Sequence, residues 1–405
     1  MRTILSGGRV VLEDSLLEPG SLVLDDGVIA DVRPGTIGRS GEDWHDVRGH
    51  LLVPGFIDVH VHGVEGIDTL ATTNAVAKLA ARFPRYGVAG FCPTTVGCPP
   101  LALRRLLDGI RKARIDNVPG HATVYPAHLE SNFINPDYRG AQPLDCIRLP
   151  NGDVLPGVPG DVAFSGREIL DEIARGRGEV GILTIAPELE GTLDLIRQLT
   201  AVGHIVSLGH SGATFEQGLA GIDGGGRHAT HLFNRMPPFS HRAPGLIGAI
   251  FERDVVRAEI VCDGYHVHPV VARTAIRMLG RDRTMAITDG VAAAGLPVGS
   301  VVPLGSHTIT AGKEAAFLPD GTLAGSTLTM DEAFKRSITL FGLSEIDAAY
   351  ICATTPATQL GLTDRGRLSA GQRADITVLD DQFEVAMTFI AGVRWEPDPS
   401  ASTEV

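Results

Sequence analysis

The stretch Gly55-Phe56-Ile57-Asp58-Val59-His60-Val61-His62 decides the fold. Its first half is a short apolar run, and it ends on two histidines at positions i and i+2. Side chains two apart on a strand point the same way, so both imidazoles address one point beyond the strand's C-terminal end. Outward from it, the same grammar recurs. Apolar runs at Val88–Cys92, Thr123–His128, Val180–Ile185, His204–Leu208, Arg227–Thr230, Ala258–Cys262 and Thr284–Thr288 read as further strands. Most of the intervals hold amphipathic helical patterns, such as Ala75 to Tyr86 and Pro269 to Leu279. Eight β-then-α units predict an α/β fold with a (β/α)8 barrel; a doubly wound sheet is the alternative.

The polar residues follow these strands in a pattern that packing does not explain. His60 and His62 follow the first strand, Glu130 the third, His210 the fifth, His231 the sixth and Asp289 the eighth. A parallel barrel gathers its strand ends at one face, so residues distant in sequence converge there. Imidazole nitrogens and carboxylate oxygens in that arrangement suit a divalent metal: zinc first, with iron, manganese or cobalt accepted by the same donors. Glu130, His210 and His231 are the expected ligands, and three of them leave a coordination position for water. A dication lowers the pKa of that water to about 7. Asp289 is placed to take its proton and pass it to a leaving nitrogen. His60 and His62 form an annex able to hold a second ion, so one or two ions are expected per chain.

The two chain ends have a different texture. Residues 1–52 read as short strands, with Asp25-Asp26-Gly27 as a hairpin turn, and Ala374–Leu379 and Phe389–Val393 resume that character. Neither end alone has the apolar surface for a stable sheet. Residues 1–52 and 357–405 are expected to form one small β-sandwich domain, with the hydrolase barrel in 53–356. The last residues, Pro397 to Val405, are polar and expected to fray.

Composition narrows the partners. The 405-residue chain carries a net charge of −13, and its one basic run, Arg104 to Lys112, reads as the solvated face of a helix. No nucleic-acid partner is expected. No membrane partner is expected either, because no apolar run reaches spanning length and the first residues lack the pattern of a secretory leader. Five scattered cysteines read as small buried hydrophobes, pointing to a cytoplasmic protein.

Longer motifs carry a resemblance. The first-strand motif and Gly371-Gln372-Arg373-Ala374-Asp375-Ile376 resemble the amidohydrolase superfamily. His128-Leu129-Glu130, Leu208-Gly209-His210-Ser211, Ala229-Thr230-His231-Leu232-Phe233-Asn234, Asp263-Gly264-Tyr265-His266-Val267 and Ile287-Thr288-Asp289-Gly290 resemble its N-acetylglucosamine-6-phosphate deacetylase family. The resemblance implies hydrolysis of an N-acetyl amide on an amino-sugar phosphate, with Asp289 as catalytic acid/base. It implies that His266 holds or polarises the acetyl carbonyl and contacts the sugar. It places Asn234 and Arg242 at the phosphate end, with Arg242 reaching the neighbouring site of a homodimer. Leu323, Ala324 and Gly325 are implied to line the substrate pocket. Three departures fall on the substrate side: Ser131-Asn132 after the glutamate, Gln142 in place of a sugar-contacting histidine, and Arg235 in place of a small residue. They leave open another N-acetyl amino sugar, such as N-acetylgalactosamine 6-phosphate or unphosphorylated N-acetylglucosamine. An inactive binding or scaffold relative is a further alternative.

Overall fold

The computed structural model describes residues 2–39, 43–152, 155 and 163–397. The expected fraying of the C-terminal tail lies almost wholly outside these residues.

Eight parallel strands form the barrel: Phe56–Val61, Val88–Thr95, Ala127–Glu130, Val180–Ile185, Ile205–Leu208, His228–Ala229, Arg257–Val261 and Thr284–Ile287. The eighth returns to the first through Asp289 N donating to His60 O (3.0 Å) and a parallel bridge between Val61 and Gly290. Strands buried on both faces read as near-continuous apolar runs, as these do. Ile57, Val59, Cys92, Ile182, Val261, Met285 and Ile287 fill the barrel interior, with Tyr125 among them.

Each strand is followed by a helix that lays one apolar stripe on the barrel. Pro100–Asp116 shows why: Leu103, Leu106, Leu107 and Ile110 recur at helical spacing and are buried. The basic residues between them turn outward, where Arg104 meets Glu172 and Arg111 meets Glu179 (2.9 Å). This is the solvated face expected for that run. All five cysteines are buried and unpaired.

A second sheet draws on both chain ends. Its order runs Val393–Arg394, Val385–Ile390, Ile376–Leu379, Leu51–Pro54, Thr3–Val11, Leu16–Asp25, Val28–Pro34, with Asp43–Asp46 pairing on Thr3–Val11. Leu5, Val10, Leu22, Leu24 and Ile29 from one end pack with Ile376, Val378 and Phe389 from the other.

One element has no counterpart in the sequence reading. Between the eighth strand and its helix, Met330–Thr339, the chain inserts a four-stranded antiparallel sheet: Val301–Leu304, His307–Ala311, Ala315–Phe317 and Leu323–Ser326. Its last strand lies against Gly290 at the barrel mouth. Among the described residues no helix is long and apolar enough to cross a membrane.

Candidate metal centre and active site

The strand ends deliver two donor triads that share a wall. In the first, Glu130 Oε1 lies 2.8 Å from both His210 Nε2 and His231 Nε2, and the two nitrogens are 3.1 Å apart. In the second, His60 Nε2 and His62 Nε2 are 3.3 Å apart, and Asp289 Oδ1 lies 3.4 Å and 3.3 Å from them. Glu130 links the two, its Oε1 being 3.7 Å from His60 Nε2 and its Oε2 3.5 Å from His62 Nε2.

The backbone is bent to make this possible. His210, His231 and Asp289 hold φ of 46°, 26° and 49°, in the left-handed region that L residues with a Cβ seldom occupy. Each sits where a strand breaks into a loop, and the turn swings its side chain back over the barrel mouth. Surrounding hydrogen bonds sustain the strain: Asn135 N donates to His210 O (2.9 Å), and Ser326 N to Asp289 O (2.8 Å).

All six side chains are buried, so their charges matter. Burial opposes ionisation of Glu130, yet His210, His231 and His60 hold its carboxyl well below the usual range. Asp289 is likewise lowered against burial, by His62, His60 and His231. Burial works against a proton on His60 as well, but Glu259, Asp289 and Glu130 push it up to about 10. Carboxylates this deep call for positive charge among the imidazoles.

A divalent ion fits that demand. His210 Nδ1 lies 2.7 Å from the carbonyl of Tyr138, which can only accept, so Nδ1 carries a proton and Nε2 is the nitrogen left to serve as a ligand beside Glu130 and His231. A tetrahedral site with bonds of 2.0–2.1 Å has ligand edges of about 3.3 Å. The His60–His62–Asp289 triangle has that size, and the Glu130–His210–His231 triangle is slightly tighter.

The cavity above the triads brings together most of the sequence-derived site. His62, Glu130, Gln142, His210, His231, Asn234, Arg235, His266, Asp289, Leu323, Ala324 and Gly325 line it. His266 is oriented by Asp263, whose Oδ2 lies 2.5 Å from its Nδ1 and whose Oδ1 accepts from its backbone N (2.9 Å). Gln142 is held from both sides: Gly97 N donates to its Oε1 (2.7 Å), and its Nε2 donates to Glu130 Oε2. Arg242 is exposed and does not reach the cavity of its own chain.

One departure changes its meaning here. Ser131 and Asn132 do not line the cavity. Ser131 Oγ donates to Thr184 O (2.5 Å), and Asn132 Nδ2 donates to the carbonyls of Cys98 (3.0 Å) and Cys146 (2.6 Å). They brace the loop after Glu130, so only Gln142 and Arg235 alter the pocket itself. Glu259 escaped the sequence reading altogether. It is wholly buried 2.8 Å from His60 Nδ1, and its signal was a lone carboxylate in the apolar strand Arg257–Val261.

A parallel barrel whose strand ends carry these two triads defines a hydrolase of the metal-dependent amidohydrolase class. The Amidohydrolase family profile matches residues 183–394. The N-acetylglucosamine-6-phosphate deacetylase of Lysinibacillus sphaericus is 32% identical over 378 residues, covering 91% of each chain. The N-acetylgalactosamine-6-phosphate deacetylase of Escherichia coli O157:H7 is 32% identical over 394 residues, covering 97% of this chain and 99% of that one. Among solved structures, a mutant N-acetyl-D-glucosamine-6-phosphate deacetylase from Mycobacterium smegmatis, in complex with N-acetyl-D-glucosamine-6-phosphate, superimposes with a TM-score of 0.86. It is 32% identical and covers 97% of this chain and 99% of its own. The chain belongs to the N-acetylglucosamine-6-phosphate deacetylase family of amidohydrolases.

Proposed function

We propose that the chain hydrolyses the N-acetyl amide of N-acetylglucosamine 6-phosphate, giving glucosamine 6-phosphate and acetate. The observation that carries this is the convergence of Glu130, His210 and His231 within 3.1 Å of one another, with Asp289 beside them in one cavity.

In this reading Glu130, His210 and His231 hold the principal ion, and His60 and His62, with Asp289 at the margin, hold a second. Zinc suits both donor sets, and iron, manganese or cobalt would be accepted too. When bound, the ion supplies Lewis acidity toward water and toward the amide carbonyl. Asp289, ionised because its pKa is lowered, receives the proton of the attacking water at a carboxylate oxygen. It then returns that proton to the leaving amine nitrogen. His266, fixed by Asp263, turns its Nε2 edge to the acetyl carbonyl and the sugar. Gln142, Asn234, Arg235, Leu323, Ala324 and Gly325 form the sugar-facing wall.

The 6-phosphate is read by Asn234 and Arg235 and by Arg242 from the second subunit of a homodimer. Arg242 is exposed on its own chain, which is the position such an exchange needs. The division into a small β domain of 1–52 with 357–405 and a barrel of 53–356 is part of the same proposal. So is a cytoplasmic location, which the phosphorylated substrate favours.

The test is acetate release from phosphorylated and free N-acetylhexosamines, with metal analysis of the same sample. N-acetylglucosamine 6-phosphate should have the highest kcat/KM, and removing the phosphate should lower it at least tenfold. Equal kcat/KM with and without phosphate would refute the roles of Asn234, Arg235 and Arg242. A preference for the galactosamine epimer would move the assignment to the other substrate of the family.

A further inference from the structure

Glu259 sits within the seventh strand, Arg257–Val261, with its carboxylate wholly buried. Such a group is costly to bury unless its oxygens are occupied, and these are. Oε2 lies 2.8 Å from His60 Nδ1 and accepts from the backbone N of His231 at 3.0 Å. Oε1 lies 2.8 Å from His228 Nε2.

A chain of hydrogen bonds assigns every proton in this cluster. Arg257 Nη1 donates to Gln359 Oε1 (3.1 Å), which turns Gln359 Nε2 toward His228 Nδ1 at 3.2 Å. A ring nitrogen facing an amide NH2 must accept, so His228 carries its proton on Nε2 and donates it to Glu259. The neighbouring His128 satisfies itself elsewhere, with Nδ1 3.0 Å from Val59 O and Nε2 2.8 Å from Thr184 Oγ1. A carboxylate at Glu259 only accepts, so His60 carries a proton on Nδ1. Its Nε2 is thereby the atom presented to His62 (3.3 Å) and Asp289 (3.4 Å).

We propose that Glu259 is a positioning residue that fixes the tautomer and tilt of His60 and, through the His231 amide, ties both donor triads to one frame. The proposal rests on the reading of His60 and His62 as ligands of a second ion. A histidine that binds a metal through one nitrogen generally donates its other N–H to a carboxylate or carbonyl, and losing that partner typically weakens metal binding by about 10–100-fold. The far end of the chain, Arg257 and Gln359, sets His228 and so determines how Glu259 is used.

The experiment compares wild type, Glu259→Gln and His60→Gln, each loaded with zinc. The readouts are zinc bound per chain, zinc affinity by chelator competition, and the exchangeable imidazole proton resonances downfield of the amides. Wild type should show one such resonance that is absent from His60→Gln, and Glu259→Gln should shift or lose it. Glu259→Gln should also weaken the ion that His60→Gln removes, by about 10–100-fold, while the other ion stays. If His60→Gln loses an ion but Glu259→Gln keeps both affinity and resonance, the positioning role is wrong. If His60→Gln leaves zinc unchanged, the ligand reading fails instead; the resonance then judges Glu259 alone, and its persistence in Glu259→Gln overturns the proposal. Should Glu259→Gln fail to fold, Gln359→Leu is the second variant. It frees His228 Nδ1 and must shift the same resonance; no shift overturns the proposal.

Discussion

Asp289 carries two demands at once. Its Oδ1 stands 3.3–3.4 Å from two imidazole nitrogens, close enough to share an ion with them, and its carboxylate also opens on the cavity where the proposed reaction deprotonates water. Asp289→Asn preserves the shape and one oxygen but removes the basic carboxylate. The fold and the ion at Glu130, His210 and His231 should survive, and kcat should fall by about 10²–10⁴-fold. Steady-state kinetics with metal analysis checks this, and loss of both ions would make Asp289 chiefly a structural ligand.

Gln142 makes a complementary case. Its amide is engaged by Gly97 N and by Glu130, a proposed metal ligand, while the residue also lines the cavity. Gln142→Leu should weaken metal binding by about tenfold, read by chelator competition. A raised KM with unchanged metal affinity would return Gln142 to the sugar. These two residues show what the sequence made legible. Strand-end donors declare themselves, because a parallel barrel converts position in the chain into position in space. The partner of a side chain does not. Ser131 and Gln142 both read as pocket residues, yet Ser131 turns away to the carbonyl of Thr184, while Gln142 lines the cavity and also donates to Glu130. Glu259 was a single carboxylate whose use is visible only once His60, His228 and His231 surround it.

At the scale of elements, the helices were legible wherever an apolar stripe repeated, as in Pro100–Asp116. The four-stranded insert was not, although Val301–Leu304 and His307–Ala311 alternate exposed and buried residues as half-buried strands do. Its strands are short and follow the eighth barrel strand, where a barrel leads one to expect only a helix. Side-chain pairs between helices were equally hidden. Glu172 on Gly166–Arg175 receives Arg104 from Pro100–Asp116 and Arg175 from its own helix. The hydrogen bond from Arg104 outweighs burial and, with that from Arg175, holds its carboxyl down at about 2. A depressed carboxyl pKa stabilises the fold fully above the unfolded value, near 4.3, and that contribution is lost as pH falls toward 2. Glu172→Gln should therefore lower Tm by about 2 °C at neutral pH. The difference should shrink steadily below pH 4, as thermal melts across pH would record. A constant difference would mean that packing, not charge, links the two helices.

For the whole molecule, the second sheet shows how far apart in sequence a single core can lie: Leu5 and Leu22 pack with Ile376 and Phe389. Long-range closure of this kind was legible because each end alone had too little apolar surface. The proposed association between chains leaves no such trace in a single sequence, where Arg242 reads as an ordinary loop arginine. Arg242 is exposed and stands clear of its own cavity, whereas Asp289 lies inside it. If Arg242 serves the partner's phosphate site across a two-fold axis, two inactive variants should repair one another. Arg242→Ala and Asp289→Asn homodimers each lack one function at every site. Mixed and reassociated in equal amounts, half of the dimers are hybrids. In each hybrid, one site has its own Asp289 and receives an intact Arg242 from the partner. The other site lacks both. Activity should recover to about a quarter of wild type, as expected for a symmetric dimer exchanging one residue in each direction. Were Arg242 to act on its own chain, no hybrid site would be whole and the mixture would stay inactive. The measurement thus separates an arginine that crosses the interface from one that never leaves its own subunit.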